Sequence, residues 1–134
     1  MKRLINIALL AISTFLLFAC SEDKSTEPTT TLTLEQAEQI LLYEVLSDTV
    51  SAAKRVYELE KILKKDSVIS SWNNQYVVEQ DCWFFFIDDF WAANWAHPCR
   101  YVFVYYSNES ESDFELINEN TPPNNIEKLV EVNF

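Results

Sequence analysis

The sequence predicts an α+β domain in which one or two N-terminal helices pack on an antiparallel sheet of about four to five strands. Three observations carry this expectation. Apolar residues recur at three- and four-residue spacing over 34–46 and again over 50–63, the period of amphipathic helices. After Asp66 the pattern changes to short runs rich in β-branched and aromatic residues, separated by Asn, Ser and Pro clusters. Hydrophobic residues make up 49% of the chain and aromatic residues 14%, enough apolar surface to offset chain entropy in a small domain.

The first helix opens at Thr33-Leu34-Glu35-Gln36, which spells a capping box, with Leu32 and Ala37 placed for a hydrophobic staple. Leu34, Ala37, Leu41 and Val45 then keep helical spacing to about Leu46. Ser47-Asp48-Thr49 breaks this run or recaps a second helix, in which Val50, Ala53, Val56, Leu59 and Leu63 would face inward and Lys54, Arg55, Lys61, Lys64 and Lys65 outward. Val56-Tyr57-Glu58-Leu59 reads alternatively as a short strand. Strands are expected at 67–70, 75–79, 82–87, 100–106, 113–117 and 128–132. Trp83-Phe84-Phe85-Phe86-Ile87 and Tyr101-Val102-Phe103-Val104-Tyr105 are apolar on both alternations, so these two strands are expected at the centre, covered on both faces. Glycine is absent, so positive-φ turns are expected at Asn73-Asn74, Ser107-Asn108 and Asn124-Asn125. The same absence excludes phosphate-cradling loops, dinucleotide fingerprints and nucleophile elbows. Helix followed by strands is similar, in architecture only, to cystatin-like and propeptide-like inhibitor domains.

Ahead of this domain, Met1-Lys2-Arg3 is basic, and Leu4 to Phe18 is interrupted only by Asn6, Ser13 and Thr14. As a helix the apolar run would reach ~22 Å, short of the ~30 Å hydrocarbon core. It ends at Leu17-Phe18-Ala19-Cys20, which resembles the lipobox of bacterial lipoproteins, with Phe18 larger than the residue usual at its position. The resemblance covers this segment alone. It implies a signal peptide over 1–19, a diacylglyceryl thioether and acylated amine on Cys20, and a lipid bilayer as partner; several acyl chains make such an anchor durable. By similarity to known sorting patterns, Ser21 favours the outer membrane, and the acidic pair Glu22-Asp23 points to export to the cell surface; the expected location is the outer membrane, at its periplasmic face or the cell surface. Residues 20–33 then form the lipidated Cys and a tether, of which the thirteen residues after Cys20 span at most ~45 Å and average ~20 Å as a coil. The single domain runs from 34 to 134.

The net charge is −11. Loss of Lys2 and Arg3 with the signal leaves eight Lys and Arg against 21 Asp and Glu, or −13. That balance disfavours nucleic acid as a partner. No motif implies a cofactor. Cys82 and Cys99 remain once Cys20 is acylated, and an even pair in an exported chain suggests a disulfide, which would contribute ~3 kcal/mol by loop closure. A plain hairpin of 82–87 with 100–106 would separate them by ~15 Å or more. A disulfide allows less than ~7 Å between Cα atoms, so the two readings exclude each other. The disulfide is favoured, with 88–98 folding back along the first strand; two buried thiols, or a metal set of Cys82, His97 and Cys99, are the alternatives.

The connection at 88–98 is the most unusual segment. It holds Asp88, Asp89, Phe90, Trp91, Trp95 and the sole His, His97. Long ordered loops often carry function. These residues are the candidate binding contacts for a protein segment or glycan, with the aromatics as anchors; otherwise the rings cap the core. The expected function is therefore a non-enzymatic binding or inhibitor-like domain. Two alternatives are a small hydrolase or auxiliary enzyme using Asp88, Asp89 and His97, although no Ser nucleophile or oxyanion donor accompanies them, and a purely structural envelope protein. Asn120-Thr121-Pro122-Pro123-Asn124-Asn125 reads as a stiff turn.

Overall fold

The computed structural model describes residues 32–47, 54–105, 113–126 and 128–134. The signal segment, Cys20, most of the tether and the 107–108 turn lie outside the described residues. Among those residues, no helix is long and apolar enough to cross a membrane.

Helix α1 spans Leu34–Ile40, and Leu41–Val45 continues it as one wider turn in which the Leu46 N–H donates to the Leu41 carbonyl, five residues back. Its start is the expected capping box: Gln36 N–H donates to Thr33 Oγ1 at 3.2 Å, and Thr33 N–H donates to Gln36 Oε1 at 2.9 Å. Leu32 and Ala37 belong to one apolar cluster beneath the helix. The Trp83 indole N–H fastens the entry by donating to the Leu32 carbonyl at 2.7 Å.

Among the described residues seven strands follow: β1 Arg55–Leu59, β2 Val68–Ser70, β3 Gln75–Val77, β4 Cys82–Asp88, β5 Cys99–Tyr105, β6 Asp113–Glu119 and β7 Leu129–Val132. Five form an antiparallel sheet in the order β6-β5-β4-β1-β7, and β2-β3 form a separate two-stranded ribbon. The alternation of side chains divides the core in two. Phe85, Ile87, Val102 and Val104 face the helix with Val56, Ala37 and Leu41. Phe84, Phe86, Tyr101 and Phe103 face the ribbon, through Ile69 and Val78. β4 and β5 are thus covered on both sides, as their doubly apolar sequences require.

Three expectations are corrected. The second helix is not formed over 54–65; Arg55–Leu59 is the strand β1, paired with β4 and β7. Val56 and Leu59 fit a helical spacing, but Val56 serves the helix side of the sheet while Tyr57 and Leu59 serve the other, and pairing on both edges overrides local period. Residues 50–53 of that predicted helix lie outside the described ones. The disulfide is also absent. Cys82 and Cys99 are free and buried. β4 and β5 form the plain hairpin, Cys82 lying opposite Tyr105 and Cys99 opposite Asp88, so the thiols stand at opposite ends. Six strand positions separate them, ~20 Å. The same distance dissolves the Cys82, His97, Cys99 metal set. Finally, Asn73, Asn74, Asn124 and Asn125 keep negative φ. Among the described residues, the positive-φ positions are Asp66 (65°) and Lys128 (71°), flanking β2 and β7.

Candidate functional site

Three connections meet at the end of the sheet where β4 ends and β5 begins: the β2–β3 turn carrying Trp72, the β4–β5 loop 89–98, and the segment 120–125 after β6. The last one organises the other two. The Asn120 carbonyl accepts the His97 N–H at 2.8 Å, and Thr121 Oγ1 accepts the Trp72 N–H at 3.3 Å. The Thr121 carbonyl accepts from the Tyr101 hydroxyl at 2.7 Å and from the Cys99 thiol at 3.2 Å, which ties the segment to the core. Asn124 N–H donates to the Ser70 carbonyl and its side-chain amide to the Ser71 carbonyl, at 2.8 and 3.1 Å. Asn125 then pairs with β2 as another strand would, accepting from Ser70 N–H at 2.7 Å and donating to the Val68 carbonyl at 2.6 Å. What reads as a stiff turn in sequence is the frame of this end of the molecule.

Glu119 locks the frame from inside. It is buried, and its Oε1 accepts from Ser71 Oγ at 3.2 Å, from Asn74 Nδ2 at 2.7 Å and from the Tyr76 hydroxyl. Oε2 accepts the Asn120 N–H at 3.2 Å. Burial favours the neutral acid, but the donors from Tyr76, Asn74, Asn120 and Ser71 outweigh it and hold the carboxyl below its usual value. Conversely, burial and the adjacent carboxylate push the Tyr76 hydroxyl up to about 12.

The loop 88–98 divides into two halves with different work. In the first half, Asp88 Oδ1 accepts the Phe90 N–H at 3.0 Å, an Asx turn, and meets His97 Nε2 at 3.0 Å. Asp89 is gripped by Arg100 through two bonds of 2.8 Å and by Lys54 at 3.5 Å. Arg55 lies over the Trp91 ring, 4.1 Å from its centroid. These contacts clamp the loop to β1 and β5. His97 Nδ1 sits 2.6 Å from the Trp95 carbonyl, so both ring nitrogens are occupied by acceptors within the loop. Asp88 is thereby paired with His97, whereas Asp89 is paired with Arg100 and Lys54.

The second half, residues 93–97, forms one wall of a groove of about 480 Å³, with Trp72 and residues 121–124 completing it. Two indoles stand on this groove largely in solvent, Trp95 at 74% exposure and Trp72 at 82%. Of the expected contacts, Trp95 and His97 line the groove, whereas Asp88, Asp89, Phe90 and Trp91 do not. Phe90 and Trp91 are about half exposed, so the aromatic residues of the loop do not simply cap the core. Sequence reasoning missed Trp72 and residues 121–124. The one available signal was Trp72 itself, a large aromatic set among Ser70, Ser71, Asn73 and Asn74, where turn chemistry alone asks for none. No family model, curated protein or solved structure compared with this chain matches it.

Proposed function

We propose that this chain is a lipid-anchored bacterial envelope protein whose α+β domain is a non-enzymatic binding or inhibitor-like module, making contact through the aromatic groove at the β4–β5 end of the sheet. The anchor follows from the lipobox resemblance at Leu17-Phe18-Ala19-Cys20, and it holds the domain at the outer membrane, on its periplasmic face or at the cell surface. The binding reading is carried by one observation: two indoles are kept in solvent on a groove whose walls are joined by hydrogen bonds to the 120–125 segment. Exposed indoles carried on a hydrogen-bonded backbone present large apolar area for a partner to cover, which is what an anchor residue requires. A groove of this volume also lies within the range typical of ligand sites.

Co-sedimentation tests this directly. The full chain, held in detergent micelles, is mixed with an insoluble cell-envelope fraction freed of lipid by detergent, so that the acyl anchor has no bilayer to enter, and spun down alongside a variant carrying Trp72→Ala and Trp95→Ala. The fraction sedimenting falls about tenfold in the double variant, as expected when two anchors are removed. Equal sedimentation of both proteins would remove the groove from the binding reading.

A further inference from the structure

We infer that the groove takes a neutral saccharide, an inference that rests on the binding reading above and names its ligand class. The argument begins with charge. Among the groove residues only His97 is ionisable, and it is held between Asp88 and the Trp95 carbonyl. Among the described residues, the acids beside the groove are engaged: Asp88 by His97, Asp89 by Arg100 and Lys54, and Glu119 by four donors. A cationic peptide therefore finds no free carboxylate there. An anion, whether phosphate, uronate or nucleic acid, must approach a chain of net charge −11 and finds no free cation in the groove. Charge complementarity leaves a neutral ligand.

Among neutral ligands, the walls favour a sugar over a peptide. Pro122 and Pro123 bring no N–H to the groove, and the N–H groups of Trp72, Ala93, His97 and Asn124 are spent on Thr121, Phe90, Asn120 and Ser70, so six of the ten lining residues offer a peptide backbone no main-chain donor. A sugar hydroxyl both donates and accepts, and can pair with whichever group is presented. Asn124 uses its amide nitrogen on the Ser71 carbonyl and Thr121 its hydroxyl oxygen on the Trp72 N–H, so the Asn124 amide oxygen and the Thr121 hydroxyl hydrogen remain for a ligand. The C–H face of a pyranose ring is flat, apolar and slightly positive, and it stacks on the negative face of an indole. Trp72 and Trp95 offer two such faces on one groove, so more than one sugar ring of a chain is held.

Isothermal titration calorimetry of the full chain in detergent micelles decides the matter, with cellohexaose, maltohexaose and chitohexaose as neutral probes, hexagalacturonate as the anionic one and decaproline as the peptide. At least one neutral hexasaccharide binds, hexagalacturonate does not, and Trp72→Ala or Trp95→Ala weakens binding about tenfold. Both side chains lie mostly in solvent, so the variants keep the wild-type melting temperature; this is measured alongside. Heat from decaproline alone, lost in both variants, would overturn the saccharide and keep the groove as a peptide site. Silence from all three neutral sugars at millimolar concentration would also overturn it, and the envelope co-sedimentation would then show separately whether the groove binds at all. Saccharide binding unchanged in both variants would place the sugar elsewhere and contradict the inference.

Discussion

Glu58 is the residue at which stability and pH meet. β1 directs it to the same side of the sheet as Val56, toward Glu38 of α1, and its Oε2 is buried without a hydrogen-bond partner among the described residues. Across the sheet its neighbours are Phe85 on β4 and Val130 on β7, which offer no charge; Glu38 and Glu60 are the ionised groups that act on it. Burial, the Glu38 hydrogen bond and the repulsion of both acids raise its pKa from 4.5 to about 7. The folded state thus holds a proton that the unfolded chain releases. With the folded value above the unfolded one, this contribution is complete below pH 4.5 and is lost as pH rises through about 7. The urea midpoint is accordingly higher at about pH 5 than at about pH 8, and Glu58→Gln removes most of that difference. A midpoint that rises between those values in wild type, or an unchanged slope in the variant, would contradict the assignment.

At the scale of elements, the β4–β5 hairpin decides what the cysteines can do. Strong β-formers fill every position from Trp83 to Ile87 and from Tyr101 to Tyr105, and pairing them in plain register buries both faces at once. A cystine would need the strands slipped by about six positions, and this would forfeit the aromatic contacts of Phe84 with Tyr101 and Phe103. The packing of eight or so large side chains outweighs ~3 kcal/mol of loop closure, so the thiols stay apart. Burial first, and neighbouring acids second, push both thiols up to about 12. In native protein they react with Ellman's reagent at least about a hundredfold more slowly than after denaturation, when two thiols per chain are released. No thiols on denaturation would mean the cystine exists; a third would mean Cys20 carries no acyl group. The same elements show what sequence can and cannot display. The capping box at Thr33 and the doubly apolar runs were legible because their determinants are local. Over β1 the helical spacing misleads and the alternative reading of 56–59 as a short strand is the correct one, because its two pairing edges, from β4 and β7, come from elsewhere in the chain.

For the whole molecule, the groove is a product of topology. Residues 72, 93–97 and 121–124 are far apart in sequence and meet because the ribbon, the central hairpin and the connection after β6 all close at one end of the sheet. The loop 88–98 could be singled out by composition, since acids and aromatics crowd there, but composition did not separate its clamp from its groove wall. That division depends on Arg55, Lys54 and Arg100, which the fold brings to Trp91 and Asp89. The prolines and asparagines of 120–125 looked like punctuation because their partners lie in β2, some fifty residues earlier. The four tryptophans make the central claim measurable, since Trp72 and Trp95 line the groove while Trp83 is bonded to Leu32 and Trp91 lies under Arg55. The direct measurement is the indole N–H spectrum of the nitrogen-15-labelled full chain in micelles, titrated with soluble fragments released from cell envelope. Binding in the groove moves the Trp72 and Trp95 signals together and leaves Trp83 and Trp91 in place. Movement of Trp91 alone, or four unmoved signals from protein that still co-sediments with envelope, would contradict it.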